Sequence, residues 1–590
     1  MNRQISIPFR AHHFFEQAFS LNPNLLPFRT ARRLWLAGGL TLIALGAQAQ
    51  IDAGSLQQQI DRNQVMRLPR LLAPAPAPAP RVQRAPGGPR VSLTRFVIRG
   101  HTLLPEAELQ AALAAYLGRP LSFSELEDAA AEVGQRFREQ GWTVRVFLPE
   151  QDIVQGVATV EVVEATLGEI RSDGEVAQPS TLLALRQIIE ASQPAGSFIN
   201  SSRLDRGLLI ANDISGVNVA GNLMEGQAQA QTDLLLTTLA KPFIDVNLSR
   251  DNTGSYGTGP GRVAAMINFN NFLHPGGALS TQMAQTDGSK YARLGLSQTL
   301  GHEGWRWSVS ASRLDYKVVN LPVEVRGSGN SDTYGAELTY PLVRARNRNL
   351  YFSLSADEKQ FNNYDPLGLL ASNYSTRAYS LGLQGNRETD WMGLSGVLSG
   401  NLTPSIGLLD LRGSRNEDTQ AKDANPAGHF TKLRWTFSQE QSLGSNLSLY
   451  GSFSGQWASK NLDSSEKFSL GGASGVRAYG SGEAAGSKGR MLNLELRWRW
   501  SPALTLASFY DIGWIRTNIS NGYPGAPELN EYSLRGSGLS ANWLLMDTIN
   551  IRAVWARRAG VNPKPNDVTG RDQDGSLVKN RFWLTVSTAF

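Results

Sequence analysis

The chain has 590 residues, which is enough for several domains, and it contains no cysteine. The lack of cysteine excludes disulfides, thiolate metal sites and a cysteine nucleophile. The net charge of +6 is a mild excess at this length, and no basic run interleaved with aromatics indicates nucleic-acid binding. A hydrophobic content of 41% gives no indication of a bundle of membrane helices.

The N-terminal region has the order of features found in export signals. Arg32 and Arg33 precede the apolar run 34–46, which ends in the small-x-small triplet 47–49. A basic, apolar, small-x-small order is typical of a signal peptide, and this apolar run is too short to span a bilayer. We predict a signal peptide over residues 1–49.

The segment that follows combines a polar helix with a proline-rich linker. Residues 50–67 have helical character, but apolar residues such as Leu56, Ile60 and Met66 are few among polar ones, so this helix cannot bury itself in an ordinary core. A water-filled channel and a disordered segment are the two alternatives. Residues 68–91 contain APAPAPAP, and alternating proline favours an extended spacer.

Two compact α+β units are predicted next. Residues 92–167 have the order β-α-α-β-β, and the Ser124 to Glu127 pattern predicts a capping box at the start of the second helix. The same element order recurs over 168–240 with little sequence identity. We interpret this as a structural repeat.

From 241 to the C-terminus the pattern changes to short segments of alternating polarity. The last segment places Phe582 and Leu584 on one face, and Trp583 and Thr585 on the other. A membrane β-barrel has one face in lipid and one in water, so its strands alternate in this way. We predict an all-β transmembrane barrel of about 16 antiparallel strands over 241–590. Long connectors are expected near 318–331, 362–375, 404–428, 460–488, 516–531 and 559–579.

Two motifs in this region supply candidate site residues. Asp511 lies on a predicted strand in the segment FYDIG (509–513), and a lipid-facing charge costs a barrel up to about 2–4 kcal/mol, so we expect this carboxylate to face the lumen. The run VRAYG (476–480) lies in the connector 460–488 and presents Arg477. Taken alone, Arg477 is best interpreted as a solvated loop arginine.

The motifs and the domain order together resemble the transporter subunit of two-partner secretion. This is the TpsB family of haemolysin secretion/activation type, related to the BAM-type insertases. VRAYG is similar to the VRGY-type motif of the family's sixth extracellular loop, with Ala478 in place of the usual glycine. An alanine argues against a left-handed backbone at that position. FYDIG is similar to the family's F-x-D wall segment, and the loop DNTGSYGTG (251–259) also looks family-like.

The resemblance implies a specific architecture. The α+β units would be periplasmic POTRA domains, 50–67 a plug helix, and the loop at 460–488 would fold into the lumen so that its arginine pairs with the wall aspartate. The candidate site residues are Val476, Arg477, Tyr479, Gly480, Phe509, Asp511 and Gly513.

The resemblance also implies a function. The chain would be an outer-membrane pore, surrounded by outer-membrane lipid, that recognises and translocates a large secreted TpsA-type protein bound through the POTRA domains. Such a partner is an adhesin, a haemolysin or a toxin. The alternative is a BAM-type insertase, although those relatives commonly carry more POTRA units and lack the plug. No nucleophile elbow, phosphate loop or histidine cluster is visible, so no enzyme activity, metal or cofactor is predicted.

Overall fold

The computed structural model of the chain describes residues 51–62, 68–69, 71, 90–173, 179–414, 424–566 and 570–590. The predicted signal peptide and most of the proline-rich linker lie outside these residues. Among the described helices, none is long and apolar enough to cross a membrane. The first element is helix α1 (Ala53–Arg62), which is shorter than the predicted 50–67; residues 63–67 are not described.

The first α+β unit packs two helices against a three-stranded sheet. Its elements are β1 (Val91–Ser92), β2 (Arg95–Arg99), α2 (Glu106–Leu113), β3 (Pro120–Leu121), α3 (Phe123–Glu139), β4 (Val144–Phe147) and β5 (Val157–Glu164). In the sheet order β2-β5-β4, β2 is parallel to β5 and β4 is antiparallel to it. Phe96, Leu109, Val133 and Phe137 are in the buried core between sheet and helices.

The capping box of α3 lies two residues earlier than predicted. Ser122 Oγ accepts a hydrogen bond from the Glu125 amide at 3.4 Å, and the Glu125 carboxylate accepts one from the Ser122 amide at 2.8 Å. The prediction of a box at Ser124 and Glu127 is therefore wrong. Two overlapping S-x-x-E patterns compete here, and the earlier one is also supported by the ion pair between Arg119 and Glu125.

The second α+β unit repeats the topology of the first. Its elements are β6 (Thr166–Asp173), α4 (Pro179–Ser192), α5 (Ser201–Asn212), β7 (Val217–Glu225) and β8 (Gln231–Ala240). β6 is parallel to β8 and β7 is antiparallel to it. The unit begins slightly before the predicted residue 168. The two units are joined by main-chain hydrogen bonds from Thr143 N to Ile199 O (3.0 Å) and from Ser201 N to Gly141 O (2.7 Å).

The rest of the chain forms a closed antiparallel barrel of sixteen strands, which confirms the predicted fold. The strands from β9 to β19 and from β22 to β26 make the wall, and β20 with β21 forms a small hairpin in one connector. The bounds are β9 (Ile244–Asp251), β10 (Arg262–Asn270), β11 (Ala278–Gln285), β12 (Ser289–Leu300), β13 (Trp305–Lys317), β14 (Ser328–Arg344), β15 (Arg348–Tyr364), β16 (Leu370–Trp391), β17 (Leu394–Asp410), β18 (Gly428–Ser442), β19 (Leu447–Ala458), β20 (Phe468–Ser469), β21 (Ala485–Gly486), β22 (Lys488–Arg499), β23 (Leu504–Arg516), β24 (Glu531–Leu545), β25 (Ile549–Arg558) and β26 (Asn580–Ala589).

The wall alternates between an outer apolar face and an inner face. Phe582 is 53% exposed on the outside, whereas its neighbour Trp583 is 4% exposed and points inward. The predicted long connector at 362–375 is wrong, because β15 and β16 stay paired almost to their tip. There the rings of Phe361 and Tyr374 stack with their centres 4.8 Å apart. Both side chains are buried on the inner face of the sheet.

Short turns and long connectors lie at opposite ends of the barrel. β8 leads into β9 through residues 241–243, so the α+β units lie at the end that carries the short turns. Large apolar side chains are exposed on those turns, for example Leu273, Met392 and Met546. Such residues are suited to a membrane–water interface.

Helix α1 lies inside the barrel. The Ala53 amide donates to Asn363 Oδ1 at 2.9 Å, and Asp61 accepts from Lys359 Nζ at 2.7 Å, both on inward-facing positions of β15. Gln57 is 1% exposed although it is polar. A helix that is polar on nearly all faces can be buried here because polar wall groups replace its contacts with water.

Candidate functional site in the barrel lumen

The long connector between β19 and β22, residues 459–487, folds back into the lumen and is called loop 6 below, since it is the sixth connector at its end of the barrel. Its hairpin β20–β21 and the segment between these two strands bring Leu470, Val476 and Tyr479 into a buried cluster with wall residues. These side chains are at most 1% exposed. The loop is therefore packed against the wall and does not extend into solvent.

Arg477 is at the centre of this contact. Its Nε donates to Asp511 Oδ2 at 2.9 Å and its Nη2 donates to Asp511 Oδ1 at 2.7 Å, so the guanidinium and carboxylate meet through two parallel hydrogen bonds. The Arg477 amide also donates to Asp511 Oδ2, at 3.0 Å. Arg477 is 3% exposed and Asp511 is 0% exposed. A two-point, desolvated contact of this kind fixes direction as well as distance.

Further wall residues complete the surroundings of Arg477. Its Nη1 donates to Glu495 at 2.6 Å, and the guanidinium lies 3.5 Å from the centre of the Phe509 ring. Trp583 Nε1 donates to the Arg477 carbonyl at 2.8 Å, and Asn493 donates to Asp511 at 2.7 Å. Strands β22, β23 and β26 thus all bind one loop residue. One of the two carboxylates around it, Glu495, also pairs with a second cation, Arg497, at 2.8 Å.

The remaining motif residues have steric roles. A Cβ added at Gly513 would lie 2.6 Å from Leu470 of loop 6, so this glycine lets the loop approach the wall. A Cβ added at Gly480 would collide with the Asp574 carboxylate. Tyr479 lies beneath the Arg558 guanidinium, 4.5 Å from its ring centre.

The alanine that departs from the family motif is accommodated by the wall. Ala478 is fully buried, and its backbone is outside the left-handed region. Its methyl group occupies space left by a glycine on β24, Gly536.

A second anchor of loop 6 was missed by sequence reasoning. Glu466 is 2% exposed and pairs with Lys432, while Lys359 lies 3.5 Å from Glu466 and 2.7 Å from Asp61 of α1. Lys359 therefore bridges the helix and the loop. At the other end of α1, Asp52 accepts hydrogen bonds from Ser464 Oγ at 2.9 and 3.0 Å.

A usable sequence signal existed for one of the missed residues. Glu495 lies between Leu494 and Leu496, which are 40% and 43% exposed on the outer face, so the argument that placed Asp511 toward the lumen applies to it equally. For Glu466 no periodic pattern was available, because it lies in a loop. Asp511 and Glu495 are neighbours in space but are on different strands.

Comparisons with known proteins agree with this architecture. Residues 230–540 match the family model of the haemolysin secretion/activation protein ShlB/FhaC/HecB, and residues 91–165 match a POTRA domain of ShlB type. The chain is 26% identical over 565 residues to the heme/hemopexin transporter protein HuxB of Haemophilus influenzae, an alignment that covers 93% of this chain and 96% of that relative. It is 25% identical over 556 residues to the outer membrane transporter CdiB of Escherichia coli O6:K15:H31 (strain 536 / UPEC), covering 90% and 88% of the two chains.

Solved structures show the same fold. CdiB from Escherichia coli matches with a TM-score of 0.68 at 20% identity, over 92% of this chain and 100% of that one. BamA from Haemophilus ducreyi lacking POTRA domains 1-3 matches with a TM-score of 0.50 at 16% identity, over 85% and 100%. The likeness to BamA is one of fold alone.

Fold and matches together define an outer-membrane β-barrel transporter whose POTRA domains lie in the periplasm. The chain belongs to the haemolysin secretion/activation family, whose model covers more than half of it, and it is an outer-membrane transporter of two-partner secretion. The predicted family, fold and location are confirmed, and the matched family model is that of secretion proteins, not of insertases. The two α+β units are called POTRA 1 and POTRA 2 below.

Proposed function

We propose that this transporter captures an extended segment of its TpsA-type secreted partner on the outer edge of β7 in POTRA 2, and then passes the partner through the barrel. A free strand edge binds an extended chain through main-chain hydrogen bonds, while pockets for alternate side chains give specificity. The observation that carries the proposal is the position of this edge. β7 pairs with β8, and β8 continues into the first wall strand after residues 241–243.

The charge pattern of the sheet edges favours β7 over the other outer strands. β2 carries exposed Arg95 and Arg99 at its ends, and β4 carries exposed Arg145. β6 contains acidic and basic residues, whereas β7 is uncharged from Val217 to Met224. Charges on edge strands discourage pairing with other chains. Leu223 and Met224, 43% and 49% exposed, add apolar contact area at the tip of the β7–β8 hairpin.

Helix α1 and loop 6 close the pore in this proposal. Helix α1 is held in the lumen by ion pairs and hydrogen bonds of Asp52, Asp61 and Arg62, in addition to the apolar contacts of its Ala53 and Leu56. Hydrogen bonds of this type can be replaced by hydrogen bonds to water or to a passing polypeptide at a small net cost in free energy. We propose that α1 is a plug that leaves the lumen during transport.

Loop 6 has the more permanent contact. Arg477, Asp511 and Glu495 form a buried network in which each charge has a partner. We propose that this network fixes the loop against β22 and β23 and so keeps one side of the passage in a defined shape. Val476, Tyr479, Gly480, Phe509 and Gly513 would support it sterically.

We infer that transport involves no catalytic step by this chain. No nucleotide-binding motif is visible in the sequence, so the driving force would come from folding of the partner outside the cell. Burial of successive segments outside would prevent backward movement.

Because the natural chain has no cysteine, the β7 proposal is testable with single cysteines. We expect Asn222→Cys, on β7, once labelled with a maleimide-linked photo-crosslinker, to form a crosslink with an added TpsA-type partner on illumination. Arg145→Cys, on the β4 edge of POTRA 1, is the matched control and should form little. Equal crosslinking at both positions, or crosslinking only at Arg145→Cys, would overturn the assignment to β7.

A further inference from the structure

POTRA 2 contacts the periplasmic end of the barrel through an arginine that is almost completely buried. Arg344, at the end of β14, has a side chain that is 4% exposed. Its Nε and Nη2 donate to the two carboxylate oxygens of Asp213, both at 2.8 Å. Arg306 donates to the Asp213 carbonyl at 3.0 Å, and the Tyr351 hydroxyl donates to its carboxylate at 3.4 Å. Asp213 directly follows α5, so the C-terminal end of that helix is fixed to the rim.

The same arginine is also connected to the segment that follows α1. Arg344 Nη1 donates to Asn349 Oδ1 at 3.0 Å, and Asn349 Nδ2 donates to Asn386 Oδ1 at 2.9 Å. Asn386 Nδ2 then donates to the Pro69 carbonyl at 3.1 Å. Asn349 is 4% exposed, so the hydrogen bond between Arg344 and Asn349 is shielded from water, whereas Asn386 and Pro69 are half-buried. Each side-chain amide accepts with its oxygen on the Arg344 side and donates with its nitrogen on the Pro69 side. All the hydrogen bonds therefore run in one direction.

We propose that this chain of hydrogen bonds, called the relay below, couples the docking of POTRA 2 to the retention of α1 in the lumen. When Asp213 leaves Arg344, the arginine loses its carboxylate partner in a buried site and must reorient. Asn349 then loses the donor that fixes its amide, and Asn386 loses its alignment toward Pro69. Movement of POTRA 2 on binding a partner thereby releases Pro69, seven residues after the end of α1. This inference rests on the proposed role of α1 as a plug.

The interface contains a matched pair that lies outside the relay. Arg346, two residues further along the same turn, binds Asp205 through Nε at 3.0 Å and Nη2 at 2.8 Å. This contact has the same bidentate geometry, but no described hydrogen bond joins it to Asn349 or Asn386. Removing it loosens POTRA 2 without changing the relay. It therefore separates loss of domain docking from loss of the relay.

The experiment uses the full chain with Gln58→Cys as a reporter on α1, since Gln58 is 7% exposed and no other cysteine is present. The rate of labelling by a water-soluble maleimide is measured on the purified transporter without partner. Asp213→Asn and Asn386→Ala should each raise this rate about tenfold, because loss of one charge-assisted or buried hydrogen bond shifts an opening equilibrium by about that factor. Asp213→Glu, which keeps the carboxylate, and Asp205→Asn should stay within about twofold of the parent.

Two results would overturn the relay. One is a rise with Asp205→Asn as large as that with Asp213→Asn, which would mean that loose docking alone frees α1. The other is no change with Asn386→Ala, a variant that leaves the POTRA 2 contact intact. Heat-dependent gel migration of each variant verifies that the barrel is folded. Because the labelling is done without partner, loss of crosslinking at β7 would count against the proposed function alone.

Discussion

The methyl group of Ala478 in loop 6 lies directly over the α-carbon of Gly536 in strand β24. A Cβ added at Gly536 would lie only 2.5 Å from the Ala478 Cβ, which is closer than two methyl groups can approach. The extra carbon in the loop motif is thus matched by a missing carbon in the wall. The two positions form one packing unit although they are far apart in the sequence.

Gly536→Ala should weaken the packing of loop 6 against the barrel wall. Two methyl groups would compete for one space in a packed site, and overpacking of this kind costs about 1–3 kcal/mol. We expect faster cleavage of loop 6 by an added protease and reduced secretion of the partner, with the barrel still heat-modifiable. The double variant Ala478→Gly/Gly536→Ala restores the carbon count and should recover most of both properties. A double variant as defective as Gly536→Ala would show that the wall residue acts independently of the loop.

Arg477→Ala and Asp511→Ala should impair secretion more than barrel assembly. Each leaves a buried charge without its partner, a loss of roughly 3–5 kcal/mol when the site is dry and less where lumenal water screens it. Secretion of the partner and the fraction of heat-modifiable barrel are measured side by side. Because the two residues form one contact, the double variant should be no worse than the worse single variant. Normal secretion by both single variants would make Arg477 an ordinary loop residue.

Removal of residues 53–62 should raise the ion conductance of the barrel in planar bilayers. Helix α1 occupies lumenal space between loop 6 and the inner faces of β13, β14 and β15. Lys359→Ala is a graded version of the same change, because it removes the cation that joins Asp61 to Glu466. It should increase the frequency of opening events without changing the largest conductance. Unchanged conductance in the deletion variant would mean that loop 6 alone closes the pore.

The capping box of α3 should make POTRA 1 sensitive to acid. The pKa of Glu125 is lowered from 4.5 to about 2, first by the hydrogen bond from the Ser122 amide and then by Arg119. A carboxylate with a depressed pKa in the folded state stabilises that state above pH 4.5, and the contribution is lost as the pH falls toward 2. Amide hydrogen exchange in the first turn of α3, corrected for its intrinsic pH dependence, should accelerate between pH 5 and pH 3. Glu125→Gln should abolish this difference, and an equal response in that variant would assign it to other groups.

A side-chain amide extends the closing seam of the barrel beyond its main-chain ladder. β26 and β9 pair over Thr585–Ala589 and Asn247–Asp251. Beyond that point Asn252 Oδ1 accepts from the Leu584 amide at 2.8 Å and its Nδ2 donates to the Phe582 carbonyl at 2.9 Å. Asn252→Asp keeps the acceptor but removes the donor, so it should lower the temperature at which the barrel unfolds on a gel.

Asn401→Asp is the control for the seam, since Asn401 lies on β17 within the wall, where its amide accepts from Thr403 of the same strand. It should leave the unfolding temperature close to that of the parent. If Asn252→Asp and Asn401→Asp lower the unfolding temperature equally, the added charge is the cause and the hydrogen bonds of Asn252 across the seam do not stabilise the barrel.

The local patterns were sufficient for the barrel and the POTRA units because their determinants are periodic. Alternation with period two predicts wall strands such as the last one, in which Phe582 faces out and Trp583 faces in. The N-cap of α3 could not be predicted from periodicity, because two overlapping S-x-x-E patterns compete for it. Ser122 rather than Ser124 caps the helix, and this cap is also supported by an ion pair between Glu125 in the first turn and Arg119, which precedes the helix.

The order of domains, the sixteen-stranded wall and the lumenal direction of Asp511 could be predicted from the amino-acid sequence, because each follows from side-chain periodicity or from the cost of charge in lipid. The groups that meet inside the lumen could not be predicted in this way, because they come from distant parts of the chain. Glu495 of the wall meets Arg477 of loop 6, and Lys359 of the wall meets Glu466 of the same loop. Both contacts depend on how the closed barrel sets the register of distant strands. The contact between Asp213 and Arg344 is decided in the same way, by the docking of one domain on another, which no local pattern encodes.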